Sequence, residues 1–128
     1  MNPISVLLVD DNPSFLRIVM RFLQGYEDVV VVGAASEGQK VLAQAQDLKP
    51  DIVLIDLYMP STPGLEVISC LRTALPEVGI IALTLLDADG YRQAALAAGA
   101  DDFVPKVTLN TDLLPAIRRL MQANRPQK

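Results

Sequence analysis

Four short apolar segments of this chain are each followed by a side chain that can bind a metal ion or a phosphoryl group. These side chains are Asp10 and Asp11 after residues 4–9, Asp56 after residues 52–55, Thr84 after residues 80–83, and Lys106 shortly after residues 103–104. Clustered carboxylates raise one another's pKa values unless a cation lies between them. Oxygen ligands without imidazole or thiolate suit Mg²⁺, which leaves coordination positions for phosphate oxygens. With a lysine ammonium and a threonine hydroxyl, these residue types predict a phosphoryl-transfer site with an aspartate nucleophile.

The intervening segments show the periodicity of amphipathic helices. We predict strands over residues 4–9, 29–32, 52–55, 80–83 and 103–104, and helices over 13–23, 37–48, 65–75, 90–98 and 111–121. Strands that are apolar throughout and alternate with such helices are typical of a parallel sheet covered on both faces. The carboxyl ends of parallel strands lie at one edge, where open α/β sheets bind ligands. The α/β pattern therefore brings the polar side chains together.

Some local expectations follow from the same pattern. The spacing places Ile18 with Val19 on the buried face of the first helix. Cys70 is predicted to be a small buried side chain of the third helix. Gly99 is expected to end the fourth helix. Pro115 is expected in the first turn of the last helix, where proline is tolerated.

Composition narrows the class of protein. The chain has 128 residues, the size of one domain, and its 11 basic and 15 acidic residues give a net charge of −4. This charge argues against direct nucleic-acid binding. The absence of histidine excludes imidazole-based catalysis and metal sites. A single cysteine and apolar runs too short to span a bilayer indicate a cytoplasmic protein without a membrane segment.

Taken singly, each site residue has a structural interpretation. Asp11 suits a turn or a helix N-cap, Thr84 a strand-end hydroxyl, and Lys106 a solvated surface charge. Their joint placement after four strands favours the functional interpretation. Residues 33–40 imitate the glycine spacing of a P-loop but lack its lysine and hydroxyl residue in the required order. Tyr58 stands where aspartate-nucleophile phosphatases carry their general acid.

The chain resembles the receiver domains of two-component response regulators. The resemblance rests on Asp10-Asp11, on residues 51–60 with Gly64, on Thr84, and on Phe103 to Lys106. It implies a flavodoxin-like (βα)5 fold with a doubly wound parallel sheet of strand order 2-1-3-4-5. It also implies phosphorylation of Asp56 by a histidine kinase or a phosphotransfer protein. By the same resemblance, the domain catalyses only its own phosphorylation and dephosphorylation.

The resemblance assigns the individual roles as well. Asp11, Asp56 and the backbone carbonyl of Tyr58 would bind Mg²⁺ directly, and Asp10 would contribute through water. Thr84 and Lys106 would bind the phosphoryl group. Phe103 would act with Thr84 as the switch, turning inward when Thr84 moves toward the phosphate.

The sequence allows more than one interpretation of what the domain controls. Pro105 before the lysine is similar to receivers of LuxR/NarL-type transcription factors, so residues 1–123 are expected to be the receiver and 124–128 a tail or the start of a linker to a DNA-binding domain. Phosphorylation would then promote a homodimer. A stand-alone receiver or a pseudo-receiver acting as a protein-binding adaptor is the alternative.

We expect Leu85 to narrow access to Asp56, and Tyr58 and Leu86 to slow hydrolysis of the phosphoryl group.

Overall fold

The computed structural model describes residues 2–59, 63–85 and 89–124. Its strands are β1 (Ile4–Val9), β2 (Val29–Ala35), β3 (Ile52–Asp56), β4 (Gly79–Thr84) and β5 (Asp102–Pro105), and its helices are α1 (Pro13–Gln24), α2 (Gly38–Leu48), α3 (Gly64–Ala74), α4 (Asp89–Ala98) and α5 (Leu109–Asn124). A 3₁₀ turn over Lys106–Thr108 joins β5 to α5. The five strands are parallel and lie in the order β2-β1-β3-β4-β5. The predicted strand order is therefore confirmed.

Apolar side chains cover the sheet on both faces. One cluster joins the sheet to α2, α3 and α4, and a second joins it to α1 and α5. Every residue of β3 and of β4 is buried. This explains why these strands are apolar up to their last residues, Asp56 and Thr84, rather than alternating.

Strand β2 is three residues longer than predicted. Its pairing with β1 shifts register between Val6 and Leu7, so that Val6 lies opposite Val31 and Leu7 opposite Gly33. Gly33, Ala34 and Ala35 have weak strand propensity, and pairing with β1 overrides it. A Cβ on Gly33 would lie 2.8 Å from the Leu48 side chain, so glycine lets α2 pack closely at this point.

Gly99 ends α4 as expected. Its φ of +123° lies in a region that L side chains rarely adopt. The backbone N of Ala100 donates to the Ala95 carbonyl beside it, which closes the end of the helix.

Three local expectations are wrong. Ile18 is 59% exposed, because it lies about 100° around α1 from the buried Val19. Cys70 is exposed on α3, on the side of the helix away from Ile68 and Leu71. Pro115 lies inside α5 rather than in its first turn, since the helix already begins at Leu109.

In the part of the chain that the structure describes, no helix combines the length and the apolar character needed to cross a bilayer. Leu86, for which a role in hydrolysis was predicted, lies outside the described residues, as do residues 125–128 of the predicted tail. Asn124, the first residue of that predicted tail, is the last residue of α5.

Candidate phosphoryl-transfer site

The carboxyl edge of the sheet brings the predicted site residues together. Asp56 is the last residue of β3, and Asp10 directly follows β1. The two strands are neighbours, with Val9 opposite Ile55. Strand β4 ends in Thr84, which lies opposite Pro105 of β5 and so close to Lys106. Sheet order and register, rather than proximity in sequence, create the site.

Three carboxylates form a cluster at this edge. One oxygen from each of Asp10, Asp11 and Asp56 lies within 4.8 Å of the others. Asp10 and Asp56 are buried, whereas Asp11 is more accessible. Hard oxygen donors at this spacing, with one side open, fit Mg²⁺, which keeps several waters and uses one or two carboxylates. The residues present are therefore suitable for the predicted ion.

Lys106 is buried among these carboxylates. Its Nζ lies 2.6 Å from Asp10 Oδ2 and 3.6 Å from Asp56 Oδ2. The lysine side chain is only 8% exposed. The structural interpretation of Lys106 as a solvated surface charge is therefore wrong.

Burial gives Asp56 unusual acid–base behaviour. Removal from water raises the pKa of Asp56 to about 6, and the negative charges of Asp10 and Asp11 act in the same direction. The Lys106 charge and a hydrogen bond from the Tyr58 backbone N, 3.2 Å from Asp56 Oδ1, oppose this rise in pKa. An added cation would favour the carboxylate form, which is the nucleophilic one.

Asn12, which the sequence analysis did not single out, connects the site to α1. Its Oδ1 accepts hydrogen bonds from the backbone N of Ser14 and of Phe15, at 3.0 and 3.3 Å, and so caps the helix. Its own backbone N donates to Asp10 Oδ1 at 2.9 Å. The N-cap is therefore Asn12 rather than Asp11, which leaves the Asp11 carboxylate for the acidic cluster.

Thr84 is buried and lines the same cavity as the acidic residues and Lys106. The cavity has a volume of about 470 Å³, and its apolar part is formed by Leu57, Tyr58, Leu65, Leu85 and Tyr91. Tyr58 is 77% exposed and Leu85 is 69% exposed. These two side chains therefore stand at the mouth of the site rather than within it, and their predicted effects on access and hydrolysis stay predictions.

Phe103, the predicted switch residue, is buried in the core cluster beneath α4. The Arg92 guanidinium lies 5.1 Å from the centroid of its ring. The ring thus occupies an inward position that α4 covers. Its coupling to Thr84 stays a prediction, as does the use of the Tyr58 carbonyl as a metal ligand.

Gly64, at the start of α3, is required by close backbone contact with the strand that carries Asp56. A Cβ at Gly64 would lie 2.4 Å from the Asp56 carbonyl oxygen and 2.7 Å from Leu57 Cα.

We expect Gly64→Ala to lower the free energy of unfolding by about 1–3 kcal/mol, because backbone atoms cannot move aside as a side chain can. Urea denaturation measures this change. Gly90→Ala is the matched control, since a Cβ there meets nothing within 4 Å. Equal stability of the two variants would contradict the prediction.

Comparison with known proteins agrees with this geometry. The family model for the response regulator receiver domain matches residues 6–118. The response regulator VraR of Staphylococcus aureus is 34% identical over 116 residues, which are 91% of this chain and 56% of VraR. The chain thus spans about half the length of the curated relatives it matches.

Solved structures show the same fold. The signal receiver domain of the response regulator NarL from Mycobacterium tuberculosis superposes with a TM-score of 0.87 at 28% identity, covering 95% of this chain and 98% of that one. The RcsB response regulator of Salmonella typhimurium, whose structure concerns DNA interaction, superposes with a TM-score of 0.89 at 26% identity, covering 100% of this chain and 64% of that one. The predicted similarity to receivers of LuxR/NarL type is confirmed. The chain belongs to the family of response regulator receiver domains, the signalling modules of two-component systems.

Proposed function

We propose that this domain takes a phosphoryl group from a histidine kinase or a phosphotransfer protein onto Asp56, with Mg²⁺ as cofactor. The observation that carries the proposal is the convergence of three carboxylates within 4.8 Å of one another with a buried lysine 3.6 Å from the Asp56 carboxylate. Asp10, Asp11, Asp56 and the Tyr58 carbonyl would hold the ion. When bound, Mg²⁺ neutralises charge on the transferred group.

The chain's own residues supply the remaining chemistry. A carboxylate oxygen of Asp56 attacks phosphorus, so that an O–P bond forms while the bond from phosphorus to the donor's nitrogen breaks. The electron pair of the broken bond stays on the donor, which takes up a proton. Lys106 and Thr84 are placed to bind the phosphoryl oxygens, and a positioned cation of this kind stabilises charge that develops during transfer.

We infer that phosphorylation then changes an output surface through Thr84 and Phe103. In the full-length protein this surface would control a DNA-binding domain, and the phosphorylated form would be a homodimer. Two observations support this output: the chain covers 56% of VraR, and the RcsB structure concerns DNA interaction. On this proposal, residues 1–123 form the receiver. Its location would be cytoplasmic, in agreement with its one free, exposed cysteine.

An intact-mass assay tests the phosphoacceptor role. We expect the wild type to gain one phosphoryl group from acetyl phosphate or phosphoramidate when Mg²⁺ is present, and to gain none with EDTA. Asp56→Asn should gain none under either condition, because an amide is not a nucleophile for this transfer. Asp47→Asn, a change at an exposed carboxylate on α2, should behave as the wild type.

Two results would contradict the proposal. One is a phosphoryl gain that persists in Asp56→Asn. The other is no gain by a folded wild-type protein that binds Mg²⁺, a result that would favour the pseudo-receiver alternative.

A further inference from the structure

The aromatic ring of Phe15 lies directly against the charged end of Lys106. The Lys106 Nζ is 4.0 Å from the centroid of the ring. The face of an aromatic ring attracts a cation within about 6 Å, more strongly where water is excluded. Water is largely excluded here, since the lysine side chain is 8% exposed. We propose that Phe15 is a positioning residue that holds the Lys106 ammonium beside the phosphoacceptor, an inference that rests on the proposed function of the site.

A closed set of contacts ties the ring to the acidic cluster. Lys106 Nζ donates to Asp10 Oδ2, and Asp10 Oδ1 accepts from the Asn12 backbone N at 2.9 Å. Asn12 Oδ1 in turn accepts from the Phe15 backbone N at 3.3 Å, and the Phe15 ring returns to Lys106. The carboxylate and the ring that hold the ammonium are therefore held relative to each other by the N-cap of α1.

Packing keeps the ring in this orientation. Phe15 is half-buried and packs against the core cluster of α1 and α5. With Leu16, Val19 and Leu83 the ring lines a cavity of only about 10 Å³, so its inner side is closely packed. The fold therefore supports the ring on the side that faces the core.

The ring offers the ammonium a kind of attraction that a carboxylate does not. Its π face attracts the whole charge and accepts no strong, directed hydrogen bond. The N–H groups of Lys106 therefore stay free to exchange Asp10 for the oxygens of an incoming phosphoryl group. A leucine at position 15 would fill similar space without this attraction.

Graded fluorination of Phe15 tests the proposal, because each fluorine weakens the π face while the shape of the ring is nearly kept. We expect the rate of phosphorylation by phosphoramidate at saturating Mg²⁺ to fall stepwise from Phe15 to its trifluoro analogue. The total fall should be on the order of 3- to 10-fold, the factor that a cation–π contact of ordinary strength represents. Phe15→Tyr should keep the wild-type rate within about 3-fold, because tyrosine retains the π face in a ring of nearly the same size.

A spectroscopic measurement reports the contact without any phosphorylation. The Cε protons of Lys106 should be shifted upfield by the ring current in the metal-free protein, and this shift should shrink along the fluorinated series and vanish in Phe15→Leu. Phe22 provides the matched control, since it is a half-buried ring of the same helix that packs on Tyr26, 5.6 Å away between centroids. Fluorination of Phe22 should change neither the rate of phosphorylation nor the chemical shift of the Lys106 Cε protons.

A constant rate and a constant Lys106 shift across the Phe15 series, in a protein that is phosphorylated on Asp56, would overturn the inference. Failure of the wild type to accept a phosphoryl group would instead contradict the proposed function. In that case the dependence of the Lys106 shift on fluorination would still decide whether Phe15 holds the ammonium.

Discussion

Lys106→Met is expected to lower the free energy of unfolding by about 3–5 kcal/mol at pH 8 in the absence of divalent cations. The variant removes the cation that lies 2.6 Å from Asp10 Oδ2 and leaves that carboxylate buried without a counter-charge. Methionine keeps much of the aliphatic length of lysine, so the loss reports the charge rather than the volume. Urea denaturation followed by circular dichroism measures it.

Two further variants separate this electrostatic effect from the loss of stability that any lysine-to-methionine change would cause. Lys40→Met changes a lysine whose side chain is 71% exposed and should alter stability little. Asp10→Asn in the Lys106→Met background should recover part of the loss, because the uncompensated charge is then gone. Mg²⁺ should also reduce the loss, since it supplies positive charge to the same carboxylates. A loss no larger than that of Lys40→Met would show that the buried pair contributes nothing to stability.

Asp56→Asn is expected to make the metal-free domain more stable above pH 7, by about 1–3 kcal/mol. The pKa of Asp56 is raised from 3.8 to about 6 in the folded protein, chiefly by burial. The folded state therefore binds more protons than the unfolded state between these values, so wild-type stability falls as the pH rises through this window. At pH 3 the carboxyl group is protonated in both states, and the advantage of the variant should disappear.

Unfolding curves from pH 3 to pH 8 with EDTA measure the effect. Asp47→Asn provides the control at an exposed carboxylate and should leave the pH profile unchanged. Mg²⁺ should stabilise the wild type more than Asp56→Asn, because the ion binds a site that the variant has altered. An Asp56→Asn protein no more stable than the wild type at pH 8 without Mg²⁺ would show that burial does not penalise this carboxylate.

Residue type and position along the chain were enough to predict which polar residues the fold brings together at the carboxyl edge of the sheet. Asp10, Asp56 and Thr84 stand at strand ends that are visible as apolar runs, and parallel strands bring such ends to one edge. The strand order came from the resemblance to receivers, since alternation of strands and helices alone does not distinguish one order from another. Helix limits were correct to within three residues, and the largest difference is at the end of α5, which extends to Asn124 rather than to residue 121.

Other features depend on contacts between residues far apart in the chain. The exposure of Ile18 and Cys70 depends on how their helices lie on the sheet, and the length of β2 depends on its pairing with β1. Gly64 is required because the start of α3 lies against the backbone of Asp56 and Leu57. Gly64 belongs to the motif shared with receivers, but the contacts that decide these features cannot be derived from the local periodicity of the sequence.

The amino-acid sequence by itself determined the chemistry of this protein: oxygen ligands, a lysine, a threonine, no histidine, and a sheet edge to hold them. Only the tertiary structure decided how strongly those groups are buried, what their pKa values are and which groups lie beside them. Burial is what raises the pKa of Asp56, and the tertiary structure at the carboxyl edge of the sheet is what places the Lys106 ammonium, which follows β5, beside both Asp10 and the ring of Phe15. The physical reason is that desolvation and Coulomb energy depend on distances and exclusion of water, which packing across the whole sheet sets.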